Sequence, residues 1–323
     1  MTVRQCVAIL GAGPAGLSAA LWLRNLGFEP RVLDAADHAG GLQKLNFLAN
    51  EWVLGQPGQT GPALAARFVE HAGAAGVSLQ TGIRPVGLDG VAGDFRLRLS
   101  DGTILGCAAV VVATGTRYRA EEVLAGVPGS TDIPAGRIAY GPHAFADLAR
   151  LGGQRVLIVG GGDNAYENAR LLAPIVASVT LAMRSRPRAQ QGLAADVAAA
   201  VAAGRCHVLH PAAVTALATG PTGLEVTLTV ATHSERITVD RIHVLAGYQP
   251  NTAFLRDMLA PASFDALRFD EQGYLLVDVA GRTGLPGLYA AGDVCNPRFP
   301  SVVSALAQGA VAAKTIEMDT RTT

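Results

Sequence analysis

The sequence predicts an α/β fold built from two Rossmann-like, three-layer domains, one of which is inserted into the other. Two repeated patterns predict it. An apolar strand followed by a glycine-rich turn and a helix occurs at residues 6–26 and again at 155–172. A continuous apolar strand that stops at a glycine occurs as VVVATG at 110–115 and as IHVLAG at 242–247. The 323 residues, half of them hydrophobic, suffice for two buried cores.

Charge, hydropathy and cysteine usage exclude several classes of protein. The 26 basic and 26 acidic residues cancel, so nucleic acid is not expected as a partner. The chain shows neither a signal-peptide pattern nor an uninterrupted apolar stretch of membrane-spanning length, so we expect a cytoplasmic protein without membrane contact. The four cysteines are scattered and form no CxxC pair, so neither a metal site nor a disulfide framework is expected.

The first elements follow the order strand, turn, helix, strand. A strand is predicted over Cys6–Leu10, and the helix after it is expected to stop at Gly27. The next strand, RVLD, ends at Asp34, and Pro62 has the position of a first-turn helix residue. The short runs SLQTG, FRLRLS and TILGC then indicate an antiparallel meander.

The second strand–turn–helix unit is complete in itself. It comprises a strand over Arg155–Gly160, a helix, the strand VTLAM, a further helix and a hairpin that ends at Val239. The first domain then resumes through YLLVD and GLYAAGD to a last helix that begins near Ser301. We therefore predict one domain over 1–117 and 245–323 and an inserted domain over 118–244.

The first glycine-rich turn has the context that a dinucleotide-binding fingerprint requires. Gly11, Gly13 and Gly16 lie between a strand and a helix, and Asp34 closes the following strand. The glycines permit a tight turn and let the backbone approach a diphosphate, while the acid can bind ribose hydroxyls. The alternative is a glycine-rich turn without a ligand.

The carboxyl-terminal motif GLYAAGDVCNP indicates that the dinucleotide is FAD. Gly292 and Asp293 follow an apolar strand directly, and an aspartate there can accept from a ribityl hydroxyl or lie near the diphosphate. The helix that begins near Ser301 offers its positive end to a reduced flavin. The alternative is an aspartate that only caps a turn. Cys295, close behind, faces the flavin or packs in the core.

Five motifs in register carry a resemblance over nearly the whole chain. GAGPAG, VVVATG, GGGDNA, AGYQPNT and AAGD occur in the order found in low-molecular-weight thioredoxin reductases. The resemblance implies a homodimer in which an NAD(P)H domain interrupts an FAD domain. It also implies that FAD is bound by Gly11, Gly13, Pro14, Ala15, Asp34, Gly41, Leu42, Gln43, Gly292, Asp293 and Val302, with Thr114 and Gly115 near its adenine half.

The stretch before the second glycine-rich turn departs from that family. Thioredoxin reductases carry a CxxC there, whereas this chain has GRIAYGPHAFADLARLGGQ without a cysteine. In this it is similar to ferredoxin or flavodoxin–NADP reductases of thioredoxin reductase type, which implies ferredoxin or flavodoxin as acceptor. A small acceptor such as a quinone, oxygen or a metabolite, and a non-catalytic redox sensor, remain alternatives. His143 is a candidate proton donor to reduced flavin, or a surface histidine without a role.

The second glycine-rich turn is expected to bind the nicotinamide nucleotide. It has the GxGxxA form, and family position places Glu167 near the nicotinamide unless it is a solvated helix charge. After VTLAM come arginines suited to a 2′-phosphate, so NADPH is favoured over NADH; otherwise they belong to a solvated turn. We expect hydride transfer to FAD to need orientation more than acid or base catalysis. The candidate residues are Gly160, Gly162, Asp163, Asn164, Ala165, Glu167, Arg184, Arg186 and Arg188.

Overall fold

The computed structural model describes residues 5–50, 52–141, 148 and 150–321. The chain divides into two compact units. Unit 1 comprises Met1–Arg117 and Gln249–Thr323, and unit 2 comprises Tyr118–Tyr248. Which nucleotide each unit binds stays a prediction.

The first part of unit 1 alternates strands and helices around a central parallel sheet. A short 3-10 turn over Leu42–Leu45 precedes the third strand. In chain order the elements are β1 (Cys6–Leu10), α1 (Pro14–Asn25), β2 (Glu29–Leu33), β3 (Ala49–Asn50), β4 (Gln59–Thr60), α2 (Gly61–Ala74), β5 (Ser78–Gln80), β6 (Pro85–Val91), β7 (Asp94–Leu99), β8 (Ile104–Cys107) and β9 (Ala109–Val112).

The chain then passes into unit 2, whose elements repeat this order. A second 3-10 turn covers Ser130–Asp132. Two strands cross the boundary with unit 1, namely β10 (Thr116–Tyr118) at the start and β19 (Tyr248–Pro250) at the end. Between them lie α3 (Ala120–Leu124), β11 (Ile138–Tyr140), β12 (Arg155–Val159), α4 (Asp163–Leu172), β13 (Ser178–Ala182), α5 (Gln191–Ala202), β14 (Cys206–Leu209), β15 (Ala212–Gly220), β16 (Gly223–Val230), β17 (His233–Val239) and β18 (Arg241–Val244).

The chain completes unit 1 after β19. Strands β10 and β19, which carry it out of unit 1 and back, pair with each other. The returning elements are α6 (Phe254–Met258), α7 (Pro261–Asp265), β20 (Leu288–Ala290) and α8 (Val302–Arg321). Of the helices that the structure describes, none combines the length and the apolar composition needed to cross a bilayer.

Unit 1 has three layers. Its central sheet has the order β20-β9-β1-β2-β5, and neighbouring strands are parallel. Alternate side chains such as Ile9 and Val111 pack against α1 and α8. Their neighbours, such as Leu10 and Val112, pack against the antiparallel meander β6-β7-β8. Burial on both faces explains why these strands are continuous apolar runs.

Unit 2 repeats the three layers. Its central sheet has the order β11-β18-β12-β13-β14, again parallel. Ile158 and Leu181 face α4 and α5, whereas Leu157 and Val244 face the meander β15-β16-β17. The predicted fold class, two Rossmann-like domains of α/β architecture, is confirmed.

Candidate functional site

The first glycine-rich turn connects β1 to α1 and packs closely against neighbouring backbone. Gly11 has φ +110°, and a Cβ there would collide with the carbonyl oxygen of Ala113. Gly41 has φ +67°, and its Cβ would lie 2.8 Å from the Cα of Gly13. Only glycine fits both positions. The N–H groups of Gly11 and Ala12 are engaged within unit 1, whereas Gly13 and the first turn of α1, at Ala15 and Gly16, leave N–H groups available to an anion.

Asp34 is held against this turn by the backbone. Its Oδ2 accepts the N–H of Ala12 at 2.6 Å, and its Oδ1 accepts the N–H of Ala36 at 2.8 Å. An ionised carboxylate has about four acceptor positions, so each oxygen can still take a hydroxyl proton. The structure therefore brings Asp34 and the glycine turn together, as a ribose site requires.

Five buried polar side-chain atoms of unit 1 have no hydrogen-bond partner among the described residues. Two of them are Oε1 of Gln56 and Oγ1 of Thr116. The other three belong to residues expected to bind FAD, and they are the amide nitrogen and oxygen of Gln43 and Oδ1 of Asp293. Burial raises the pKa of Asp293 to about 6, although the N–H of Ser301 acts in the opposite direction. Leaving such atoms unpaired costs free energy. A ligand that carries hydroxyl, amide and carbonyl groups would satisfy them, and FAD carries all three.

The turn after β20 is built to pack closely. Gly292 donates its N–H to Oε1 of Gln308 at 2.8 Å, and a Cβ on Gly292 would lie 2.7 Å from that of Ala15. The next helix, α8, is capped by Ser301, whose Oγ accepts the N–H of Ser304 at 3.1 Å. The first N–H groups of a helix have no intrahelical acceptor, so that of Val302 stays available to a ligand.

The loop after β9 is fixed by a residue that the sequence did not single out. Thr114 Oγ1 donates to the carbonyl of Asn251 at 2.8 Å, and Asn251 Nδ2 donates to the carbonyl of Thr114 at 2.9 Å. The N–H of Asn251 donates to the carbonyl of Gly115 at 3.0 Å. The motif AGYQPNT contains this asparagine, but nothing in the sequence shows which loop it binds.

The second glycine-rich turn connects β12 to α4. Gly160 lies so close to β18 that a Cβ would collide with the carbonyl oxygen of Leu245, and Gly162 is the N-cap residue. Ala165 is fully buried beneath the turn. Asp163, the first residue of the helix, accepts two hydrogen bonds from Gln190. The turn thus has an open amide end of the kind that binds phosphate.

Asn164 and Glu167 extend the site along α4. Asn164 Nδ2 donates to the hydroxyl of Tyr248 at 2.7 Å, and that hydroxyl lies 3.0 Å from the hydroxyl of Tyr118. Burial, followed by the neighbouring Tyr248, raises the pKa of Tyr118 above its ordinary value. Burial likewise raises the pKa of the half-buried Glu167, while Arg170 opposes the shift. Glu167 is thus not a fully solvated helix charge.

The arginines after β13 are exposed. Arg184, Arg186 and Arg188 have no ion-pair partner within the part of the chain that the structure describes. Their guanidinium groups are therefore available to an anion. His143, the candidate proton donor, lies outside the described residues.

The four cysteines are free thiols. Burial is the main cause that raises the pKa of Cys6 and Cys206 to about 11 and that of Cys107 and Cys295 to about 12. Cys295 packs against the core of unit 1. A thiol with so high a pKa is protonated near neutral pH and exchanges poorly with disulfides.

Comparisons with known proteins agree with this geometry. The family model described as "Pyridine nucleotide-disulphide oxidoreductase" matches residues 5–309. The chain is 31% identical over 316 residues to a component of the alkyl hydroperoxide reductase of Xanthomonas campestris pv. phaseoli, covering 95% of this chain and 55% of that protein. It is 28% identical over 315 residues to thioredoxin reductase of Coxiella burnetii, covering 94% and 93%.

A solved structure shows the same fold. The crystal structure of T. acidophilum thioredoxin reductase matches with a TM-score of 0.82 at 27% identity, covering 98% of this chain and 100% of that one. The chain spans about half the length of the curated alkyl hydroperoxide reductase relatives that it matches.

Proposed function

The chain belongs to the pyridine nucleotide–disulphide oxidoreductase family, whose members bind FAD and NAD(P)H. We propose that it is an NADPH-dependent flavoprotein reductase whose acceptor is not a protein disulfide. One observation carries the proposal. Beside a dinucleotide-binding turn, Gln43 and Asp293 hold buried polar atoms that a flavin would satisfy, in a chain whose four cysteines form no CxxC pair.

The residues of unit 1 divide the work of holding FAD. The N–H groups of Gly13 and of the first turn of α1 bind the diphosphate, and Asp34 binds ribose hydroxyls. Asp293 and Gln43 bind the polar groups toward the flavin ring. The first N–H groups of α8 stabilise negative charge there. When bound, FAD supplies the ring that accepts hydride and releases electrons.

The residues of unit 2 favour NADPH. Gly160 and Gly162 expose the turn amides to the diphosphate, and Glu167 lies on the helix that follows. The loop after β13 has exposed arginines and no acidic residue from 183 to 190. A carboxylate there would bind both ribose hydroxyls of NADH, whereas guanidinium groups bind a 2′-phosphate.

The acceptor that we propose is ferredoxin or flavodoxin, with a homodimer as the assembly. The cysteine-free segment before the second glycine-rich turn, which resembles that of ferredoxin or flavodoxin–NADP reductases, supports this choice. Disulfide exchange needs a thiolate and a second thiol that resolves the mixed disulfide. This chain has no CxxC to provide them.

Anaerobic titration of the purified holoprotein tests the proposal. NADPH should bleach the flavin absorbance at lower concentration than NADH. The reduced protein should then reoxidise rapidly with ferredoxin or flavodoxin and not with oxidised thioredoxin. Fast reoxidation by a quinone or oxygen, with slow reoxidation by both carriers, would assign a small acceptor instead. A flavin that neither nucleotide bleaches would end the reductase proposal, and light scattering measures the homodimer.

A further inference from the structure

The segment that carries the arginines is tied to the second glycine-rich turn at both ends. We call residues 184–190 the arginine loop. Just before it, the side chain of Met183 packs against Gly161, where a Cβ would lie 3.1 Å from the Cβ and Sδ of Met183. Near its other end, the N–H of Arg188 donates to the carbonyl of Gly161 at 2.8 Å. The loop therefore begins and ends beside the turn.

Asp163 and Gln190 add a second tie. The N–H of Gln190 donates to Oδ1 of Asp163 at 2.8 Å, and its Nε2 donates to Oδ2 at 2.9 Å. Both carboxylate oxygens are thus engaged by one residue at the end of the arginine loop. We call this pair the Asp163–Gln190 clamp.

We propose that the Asp163–Gln190 clamp is a specificity-determining positioning device that holds the arginine loop where its guanidinium groups meet the 2′-phosphate of NADPH. The proposal rests on the proposed function and reassigns Asp163, which the sequence placed among the nucleotide-binding residues. A ligand of the ribose or diphosphate would serve NADH and NADPH alike. A residue that only positions the arginine loop serves the nucleotide with the extra phosphate.

The physical reason is the cost of ordering. Exposed arginines lose rotamer freedom when they bind a phosphate, and an untethered loop loses backbone freedom as well. The clamp removes the backbone part of that cost before the nucleotide arrives. The clamp consists of two hydrogen bonds, and the loss of both is enough to weaken binding of the 2′-phosphate by about tenfold.

Calorimetric binding of two fragments to the holoprotein tests the clamp. The probes are 2′,5′-ADP, which carries the 2′-phosphate, and 5′-AMP, which lacks it. Asp163→Ala should lower the affinity for 2′,5′-ADP by about tenfold and change the affinity for 5′-AMP by less than about twofold. Gln190→Ala, which keeps its backbone N–H, should cause a smaller loss. The double variant should be no worse than Asp163→Ala, because both remove the same interaction.

Two further variants separate positioning from general damage. Asp196→Ala removes an exposed carboxylate on α5 that lies 3.7 Å from Arg170 of α4. It should change the affinity for neither fragment. In Asp163→Asn the amide oxygen can still accept the N–H of Gln190. After rotation of the Gln190 amide, the new Nδ2 can donate to Oε1 of Gln190, so this variant should recover most of the affinity for 2′,5′-ADP. If Asp163→Asn behaves like Asp163→Ala, charge acts in place of the clamp and the proposal fails.

Failure of the clamp is distinguishable from failure of the proposed function. If Asp163→Ala lowers the affinity for both fragments equally, or for neither, the clamp is overturned. The proposal that the nucleotide reduces the flavin would not be affected. Wild-type protein that binds 2′,5′-ADP no better than 5′-AMP overturns both the clamp and the choice of NADPH. Bleaching of the flavin by NADH would then still support a reductase.

Discussion

Asp293 is buried and one of its carboxylate oxygens has no hydrogen-bond partner among the described residues. Ionisation of this carboxylate therefore destabilises the folded protein when FAD is absent. Its pKa in the folded chain, about 6, lies above the ordinary 3.8. The folded state therefore binds more protons than the unfolded state between these values, and the free energy of unfolding falls as pH rises through them. At neutral pH the apoprotein should be less stable than an uncharged variant by about 2–3 kcal/mol.

Asp293→Asn should thus stabilise the apoprotein near neutral pH and lose that advantage below pH 4. Urea unfolding of both apoproteins at the two pH values measures the difference. Asp293→Ala also removes the acceptor, so FAD should bind at least about tenfold more weakly by flavin fluorescence. Glu271→Ala, at an exposed carboxylate in a turn, is the control and should change neither quantity. Unchanged FAD affinity in Asp293→Ala would remove this residue from the site.

The cysteines should be unreactive in the native protein. With pKa values of about 11 to 12, roughly a thousandth or less of each thiol is ionised near neutral pH. Labelling with iodoacetamide should be far slower than that of free cysteine and should become complete after unfolding in urea. Cys295→Ser should leave the rate of flavin reduction unchanged. One thiol that reacts rapidly in the native state would reopen thiol chemistry.

At this scale, the sequence predicts residues whose role depends on close neighbours in the chain. The glycines of both turns and Asp34 follow from strand, turn and helix order. Asn251 and Gln308 do not, because each acts on a loop that only the fold brings near; Asn251 binds Thr114 across 137 positions. The sequence places Asp163 among the nucleotide-binding residues but does not reveal its contact with Gln190, which lies 27 positions away.

The contact between α1 and α8 depends on Gly309. A Cβ there would lie 2.9 Å from the backbone nitrogen of Ala19 and would collide with the carbonyl oxygen of Ala15, a residue of the first glycine-rich turn. Gly309→Ala should therefore push the helices apart and destabilise the protein by about 1–3 kcal/mol. It should also weaken the binding of FAD. Thermal unfolding and FAD content measure both effects.

Gly73 provides the matched control for Gly309. It lies in α2 with nothing within 4 Å of an added Cβ. Gly73→Ala should stabilise the protein by about 0.5–1 kcal/mol, since alanine has the higher helix propensity. Equal effects of the two substitutions would show that the α1–α8 contact does not depend on close approach.

Strands were predictable from the sequence where they are continuous apolar runs, and not where they mix apolar with small or polar residues. The core strands β1, β9 and β12 are apolar runs buried on both faces. Strands β7 and β8 of the meander were predicted, but the prediction of SLQ as its other strand was wrong: SLQ is β5, a parallel strand of the central sheet, and β6 pairs with β7 instead. Strands β11, β14 and β15 were not predicted. β15, AAVTALATG, mixes small and polar residues and has a register shift between Val214 and Ala216, so it lacks strict alternation.

The whole molecule contains one architecture twice. In both units the glycine-rich turn follows the central strand, β1 or β12, and the strand beside it, β9 or β18, ends at a loop toward the same sheet edge. Ligands of open parallel sheets bind at that carboxyl edge. The repetition supports one dinucleotide for each unit and explains why a repeated sequence pattern was enough to predict the fold class.

Unit 2 should fold and bind nucleotide when it is excised. It has its own buried core on both faces of its sheet. Its two ends are adjacent, because the N–H of Arg119 donates to the carbonyl of Gly247 at 3.3 Å. Residues 118–248 expressed alone should give a cooperative unfolding transition, bind 2′,5′-ADP and retain no flavin.

The complementary chain, in which a short Gly-Ser linker joins Arg117 to Gln249, completes this test. These two residues are already in contact, since Nη2 of Arg117 donates to Oε1 of Gln249 at 2.6 Å. The joined unit 1 should retain FAD but should not be bleached by NADPH, because the nucleotide that delivers hydride binds to the excised part. If unit 1 alone is bleached as fast as the whole protein, or if excised unit 2 retains FAD, the assignment of one dinucleotide to each unit is wrong.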